Sequence, residues 1–170
     1  MSSGNNTLGK NKDFSFEACL DFVFEMEGGF SNDAADRGGA TNFGITHEEY
    51  YKWLKRKGLP HKDIRDITKQ EASQIYKEQY WDAFDCGSTP EPLNLVLFDT
   101  AVQHGKARQL YKKALEQSPQ YSNSTANIAR TLIEVRRNYY YSLVKQSSSQ
   151  GKFLKGWLNR MDALQKRAGV

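Results

Sequence analysis

Glu27, Asp36 and Thr41 fall in one short stretch, FEACLDFVFEMEGGFSNDAADRGGATNFGIT, spanning residues 16–46. An acid, a second acid and a hydroxyl around one cleft suit hydrolysis of a glycosidic bond. The first carboxyl protonates the leaving oxygen. The second orients water or steadies an oxocarbenium ion, and the hydroxyl holds that water. Glu27 is the natural candidate for the acid because of the element that carries it. Ser15 can cap a helix, Glu17 sits in its first turn, and Gly28-Gly29 stop it. At roughly 100° per residue, Phe16, Cys19, Leu20, Val23, Phe24 and Met26 share an arc, and Glu27 lies near its middle. Glu25 points the other way, toward solvent. Burial and the negative end of the helix dipole both favour the protonated form, from which a general acid works. The competing reading of Glu27 is a helix-end carboxylate bonded to backbone.

The loop that follows, Phe30 to Ile45, contains Gly38, Gly39 and Gly44 together with Asp33 and Asp36. Glycine permits tight turns and close backbone approach to a ligand. If the loop doubles back, Asp36 and Thr41 face the same cleft as Glu27.

The string E-G-G-F-x5-D-x-G-G-A-T-N-F-G-I-T, Glu27 to Thr46, resembles the signature of glycoside hydrolase family 108, bacterial and phage N-acetylmuramidases of lysozyme-like fold. That resemblance implies that Glu27, before the glycine pair, is the catalytic acid. The spacing is also similar to the E-x8-D-x5-T triad of T4-type phage lysozymes, with Asp36 in register and Thr41 one residue early. Further on, D-T-A-V-Q-H-G, Asp99 to Gly105, resembles the family's D-x-A-V-N-x-G, with Gln103 standing in place of Asn. FLKGWLNR, Phe153 to Arg160, resembles the end of a C-terminal segment, here about 92–167, predicted in that family to bind peptidoglycan.

The remaining elements are helices. Thr46-x-x-Glu49 and Thr68-x-x-Glu71 are capping boxes. The first opens a helix with Tyr50, Trp53 and Leu54 inward that stops at Gly58 and Pro60. The second runs through Ala72, Ile75, Tyr76 and Tyr80 toward Trp81. Tyr80, Trp81 and Phe84 could floor a saccharide cleft, or equally be core aromatics at helical spacing. Leu93, Val96, Leu97, Thr100 and Ala101 mark the most apolar helix, expected to be central, with Asp99 and His104 near its end. Three amphipathic helices follow, over about 108–116, 128–144 and 153–167. The fold class expected is all-α, a single lysozyme-like domain over 14–170 behind a polar leader at 1–13, with room for a small irregular hairpin in the Gly38–Ile45 loop.

Composition narrows the function classes. The chain has no apolar run able to span a membrane, and its polar N-terminus lacks a signal-peptide core. It is expected to be made in the cytoplasm and to act in the periplasm or cell wall after holin release or dedicated secretion. Cys19 reads as a core residue, Cys86 sits at a helix exit, and two cysteines make no disulfide framework. His47, His61 and His104 show no paired metal spacing, so neither metal nor cofactor is expected. From Arg130 onward nine Lys/Arg face two acids, a surplus that attracts polyanions or simply solvates helix faces. No nucleic-acid-binding signature accompanies it.

The leading expectation is an N-acetylmuramidase. Glu27, Asp36 and Thr41 are its catalytic residues, and Tyr80, Trp81, Gln103 and His104 contact substrate. Its partner is the peptidoglycan glycan strand, with an inhibitor or immunity protein if it is an effector, and the chain is a monomer. The alternatives are a lytic transglycosylase with Glu27 as sole acid/base, and a non-catalytic wall-binding helical module.

Overall fold

The computed structural model describes residues 12–29, 40–118 and 124–170. All but the end of the polar leader, and the loop stretch carrying Asp33 and Asp36, lie outside them. The described residues contain seven α-helices and one two-stranded antiparallel sheet, the sheet lying between the first and second helices in the chain, with short 3-10 and π turns besides. The mainly helical expectation holds, hairpin included.

Local chemistry accounts for the boundaries. Helix α1, Phe16–Glu27, starts where the Ser15 side chain accepts from the Ala18 N–H and stops at Gly28, whose φ is 75°. Strands β1, Thr41–Asn42, and β2, Ile45–Thr46, pair Thr41 with Thr46 and Asn42 with Ile45. The two residues between them, Phe43 and Gly44, have φ of 53° and 74°, as a two-residue turn with primed geometry requires. Such a backbone suits glycine but is costly for a bulky residue such as Phe43. Helices α2, His47–Lys57, and α3, Lys69–Tyr76, each begin with the expected capping box, Thr46 with Glu49 and Thr68 with Glu71. Beyond Tyr76 the chain widens into one π-helical turn, Lys77–Trp81, where the sequence predicts continued α-helix. Insertions of this kind recur near functional sites.

Helix α4, Leu93–Gln103, is the central element: every residue from Leu93 to Ala101 is buried. It packs against α1, α5, α6 and α7. Helices α5, Ala107–Gln117, α6, Thr125–Gln146, and α7, Gly151–Ala168, extend the predicted spans by one to a few residues at their ends. Leu95, Leu97 and Phe98 of α4, Leu132 and Ile133 of α6, and Met161 and Leu164 of α7 join Cys19 and Val23 of α1 in one apolar cluster. Each of the Leu, Ile, Val, Phe and Met side chains contributes roughly 1.5–3 kcal/mol when fully buried. Cys19 and Cys86 are both buried and unbridged. Burial pushes each thiol up to about 12, so neither serves as a thiolate nucleophile.

Candidate active site

The apolar face of α1 holds Cys19, Leu20, Phe22 and Val23 in the core, which fixes where the last residue, Glu27, delivers its side chain. Glu25 is exposed, whereas the Glu27 side chain is 17 % exposed, neither sealed nor in bulk solvent. Its two oxygens have different surroundings. Oε1 accepts from Gln103 Nε2 of α4 at 2.6 Å and from Arg160 Nη1 of α7 at 2.8 Å. Oε2 lies against the hairpin turn: a Cβ at Gly44 would sit 2.9 Å from it, 2.9 Å from Glu27 Cγ and 2.7 Å from the Tyr76 hydroxyl.

The hairpin is clamped in place from below. Tyr76 Oη donates to the Phe43 carbonyl at 2.7 Å. The Phe24 ring packs on Phe43 and Tyr76, with centroids 5.2 and 5.3 Å away. Burial first, and the Glu27 carboxylate second, hold the Tyr76 phenol protonated, as its donor role needs. Any side chain at position 44 meets both a positive φ and these atoms. Gly44→Ala is therefore expected to cost about 1–2 kcal/mol in backbone conformation alone and to displace the Glu27 carboxyl. A thermal melt paired with a turnover assay checks this, with activity expected to fall by on the order of tenfold or more.

Behind Oε1 runs a buried ionic chain. Arg160 Nη2 and Nε donate to Asp99 Oδ1 at 2.7 and 3.1 Å, and Arg136 Nη1 reaches Asp99 Oδ2 at 2.8 Å. Asp99 and Arg136 are fully buried. Burial alone would push the Asp99 carboxyl up, yet the guanidinium groups of Arg160 and Arg136 bring it below its ordinary value. Arg136 Nε also donates to His104 Nε2 at 3.2 Å, and Tyr140 Oη lies 3.1 Å from the same nitrogen. A guanidinium only donates, so Nε2 is the unprotonated nitrogen and the Tyr140 hydroxyl donates to it. Burial, reinforced by Arg136, lowers His104 to about 3; the imidazole is neutral at any working pH.

The structure gathers Glu27 and Gln103 and separates some of the other predicted residues. Thr41 opens β1, half-buried, in the hairpin whose turn touches Glu27. Asp36 lies outside the described residues. His104 spends Nε2 within the protein, and it lines a hollow of about 250 Å³ with Gln103, Lys106, Tyr139, Tyr140 and Trp157. Tyr80 is half-buried, its ring 5.4 Å from Tyr76 and its hydroxyl donating to Glu49 Oε1 at 3.4 Å. Trp81 is 6 % exposed and packs on Phe16 and Phe98, at 5.4 and 5.3 Å; that is the core-aromatic placement. Three residues at Glu27 are not candidate site residues from sequence: Arg160, Tyr76, which reads as an inward helix position, and Gly44, which reads as a turn glycine. Gly44 stood in the motif and Arg160 in FLKGWLNR, yet neither string discloses contact with Glu27. Among the described residues no group of His, Cys, Asp or Glu could hold a metal ion, and no helix is long and apolar enough to cross a membrane.

A carboxyl at the end of a helix, backed by a central buried helix and faced by a short hairpin, gives the chain a lysozyme-like fold. A family model described as Glycosyl hydrolase 108 matches residues 20–105, half of the chain, and the protein belongs to that family. It is accordingly a glycoside hydrolase, and peptidoglycan is the substrate class that fits. A solved structure of SagA from Brucella abortus is similar with a TM-score of 0.73 and 25 % identity, covering 90 % of this chain and 92 % of that one. No curated protein matches the sequence.

Proposed function

We propose that the protein is an N-acetylmuramidase, cleaving the β-1,4 bond between N-acetylmuramic acid and N-acetylglucosamine with Glu27 as general acid. The observation that carries this reading is the asymmetry of the Glu27 carboxyl: among the described residues Oε1 is held by two donors, while Oε2 has neither of them and lies against the hairpin turn at Gly44. One oxygen is positioned and the other is left to hand over a proton. In this reading Asp36 and Thr41 handle water or the developing positive charge, from the loop and hairpin that follow α1. The hollow beside Gln103, with Tyr139 and Trp157 in its wall, extends the site for the glycan chain. The enzyme acts as a monomer on the wall, after release or secretion from the cell that makes it.

Digestion of purified peptidoglycan followed by mass spectrometry tests the proposal. Products with reducing N-acetylmuramic acid ends are expected. Anhydro-muramic ends would replace it with a transglycosylase, and reducing N-acetylglucosamine ends would overturn the bond assignment. Sacculi that bind the protein without any turnover would leave only the wall-binding module.

A further inference from the structure

We propose that Arg160, in the C-terminal helix and outside the 20–105 family match, is a positioning residue for catalysis. By occupying Oε1 of Glu27 it confines the transferable proton to Oε2. The inference rests on the reading of Glu27 as the acid, and it adds a part of the machinery that lies 133 residues further along the chain.

The argument starts from donor inventory. A guanidinium has five N–H donors and no acceptor. A proton on Oε1 would point at a group unable to receive it, so the protonated acid carries its hydrogen on Oε2. Geometry makes this durable. Arg160 Nε and Nη2 both bind Asp99 Oδ1, and Asp99 is gripped from the other side by Arg136. Two bonds to one carboxylate fix the plane of the guanidinium, so the direction of Nη1 toward Glu27 is set before substrate arrives. Asp99 already has Arg136 to balance its charge, and Arg160 reaches past it to a carboxyl that is partly open to solvent.

The same placement serves the reaction. The O–H bond at Oε2 breaks as a new O–H bond forms on the leaving glycosidic oxygen. The C–O bond breaks with its electron pair retained by that oxygen. Glu27 becomes a carboxylate as this happens, and a cation is already in contact with it; no reorganisation is needed to receive the charge. Among the described residues, the charged and titratable groups facing Glu27 are Arg160 from α7, Asp99 of α4 behind it, Tyr76 from α3 and Tyr80 from the π turn, with Glu49 of α2 beyond Tyr80. Among these described groups Arg160 is the cation.

The test uses full-length wild type, Arg160→Gln, Arg160→Lys and Glu27→Gln, with kcat and KM determined separately on soluble glycan fragments, and a thermal melt for each. Arg160→Gln is expected to lower kcat about 10–100-fold with KM changed little. Arg160→Lys keeps a charge but not the fork, so its kcat should fall about tenfold with KM changed little. A folded Arg160→Gln enzyme with wild-type kcat overturns the proposal. Should that variant fail to fold, wild-type kcat in Arg160→Lys overturns it instead. An inactive Glu27→Gln beside indifferent Arg160 variants removes the positioning role and leaves the acid in place. A fully active Glu27→Gln removes both.

Discussion

Glu27→Gln is expected to lower peptidoglycan turnover by about 10²–10⁴-fold, the usual worth of a positioned general acid, while leaving the melting temperature close to wild type. The two halves of this expectation have separate causes. The amide of glutamine can still offer an oxygen to Gln103 Nε2 and Arg160 Nη1, so the bonds of 2.6 and 2.8 Å have a successor. Arg160 loses one anionic partner but keeps Asp99. The proton at the second position is what disappears, since an amide nitrogen does not release one to an ether oxygen. Turbidity loss of sacculi and a melt followed by circular dichroism measure the two quantities on the same sample. Retained lysis would end the assignment of Glu27 as the acid.

Asp99→Ala is the substitution expected to cost the most stability, about 3–5 kcal/mol, because it leaves Arg136 and Arg160 charged in the interior without their shared counter-ion. For a chain of this size that corresponds to a fall in melting temperature on the order of 10 °C. Arg136 Nη2 already lacks a hydrogen-bond partner among the described residues, so little is available to absorb the loss. The pH dependence follows from the same carboxyl. Its folded value lies below its ordinary one, so its contribution is present above about pH 4 and is lost as the pH falls through the lower folded value. His104 acts in the same direction over a higher range. Its imidazole is held neutral down to about 3, and the unfolded chain takes up that proton below about 6.5. Wild-type stability should therefore decline between pH 6.5 and 3 in denaturant titrations, and Asp99→Asn should flatten the lower part of that decline.

The elements that local chemistry writes into the chain were legible. Ser15, Thr46 with Glu49, and Thr68 with Glu71 mark helix starts, because each cap is settled by residues three positions apart. The apolar run of α4 gave away its central place, and the glycine-rich motif pointed to Glu27. The partners of Glu27 were harder. Gln103 was singled out through its motif as a sugar contact, and the motif does not disclose the bond of its amide to Glu27. Arg160 was hidden because nothing local fixes its partner: on a basic amphipathic helix it reads as one solvated cation among several. Its companions Asp99 and Arg136 come from two other helices. Trp81 shows the converse difficulty, since helical spacing of aromatics does not say whether a ring meets sugar or core.

The bond between Glu27 and Arg160 joins an early helix to a late one, and this sets a schedule for the enzyme's own biogenesis. A growing polypeptide with α1 already synthesised has the acid but not the arginine that braces it. The brace arrives only when ribosomal synthesis has passed residue 160 and α7 has docked on α4 and α6. With the roles proposed for Glu27 and Arg160, prematurely terminated or proteolytically clipped chains that lose α7 carry Glu27 without its bracing cation and are expected to be inactive.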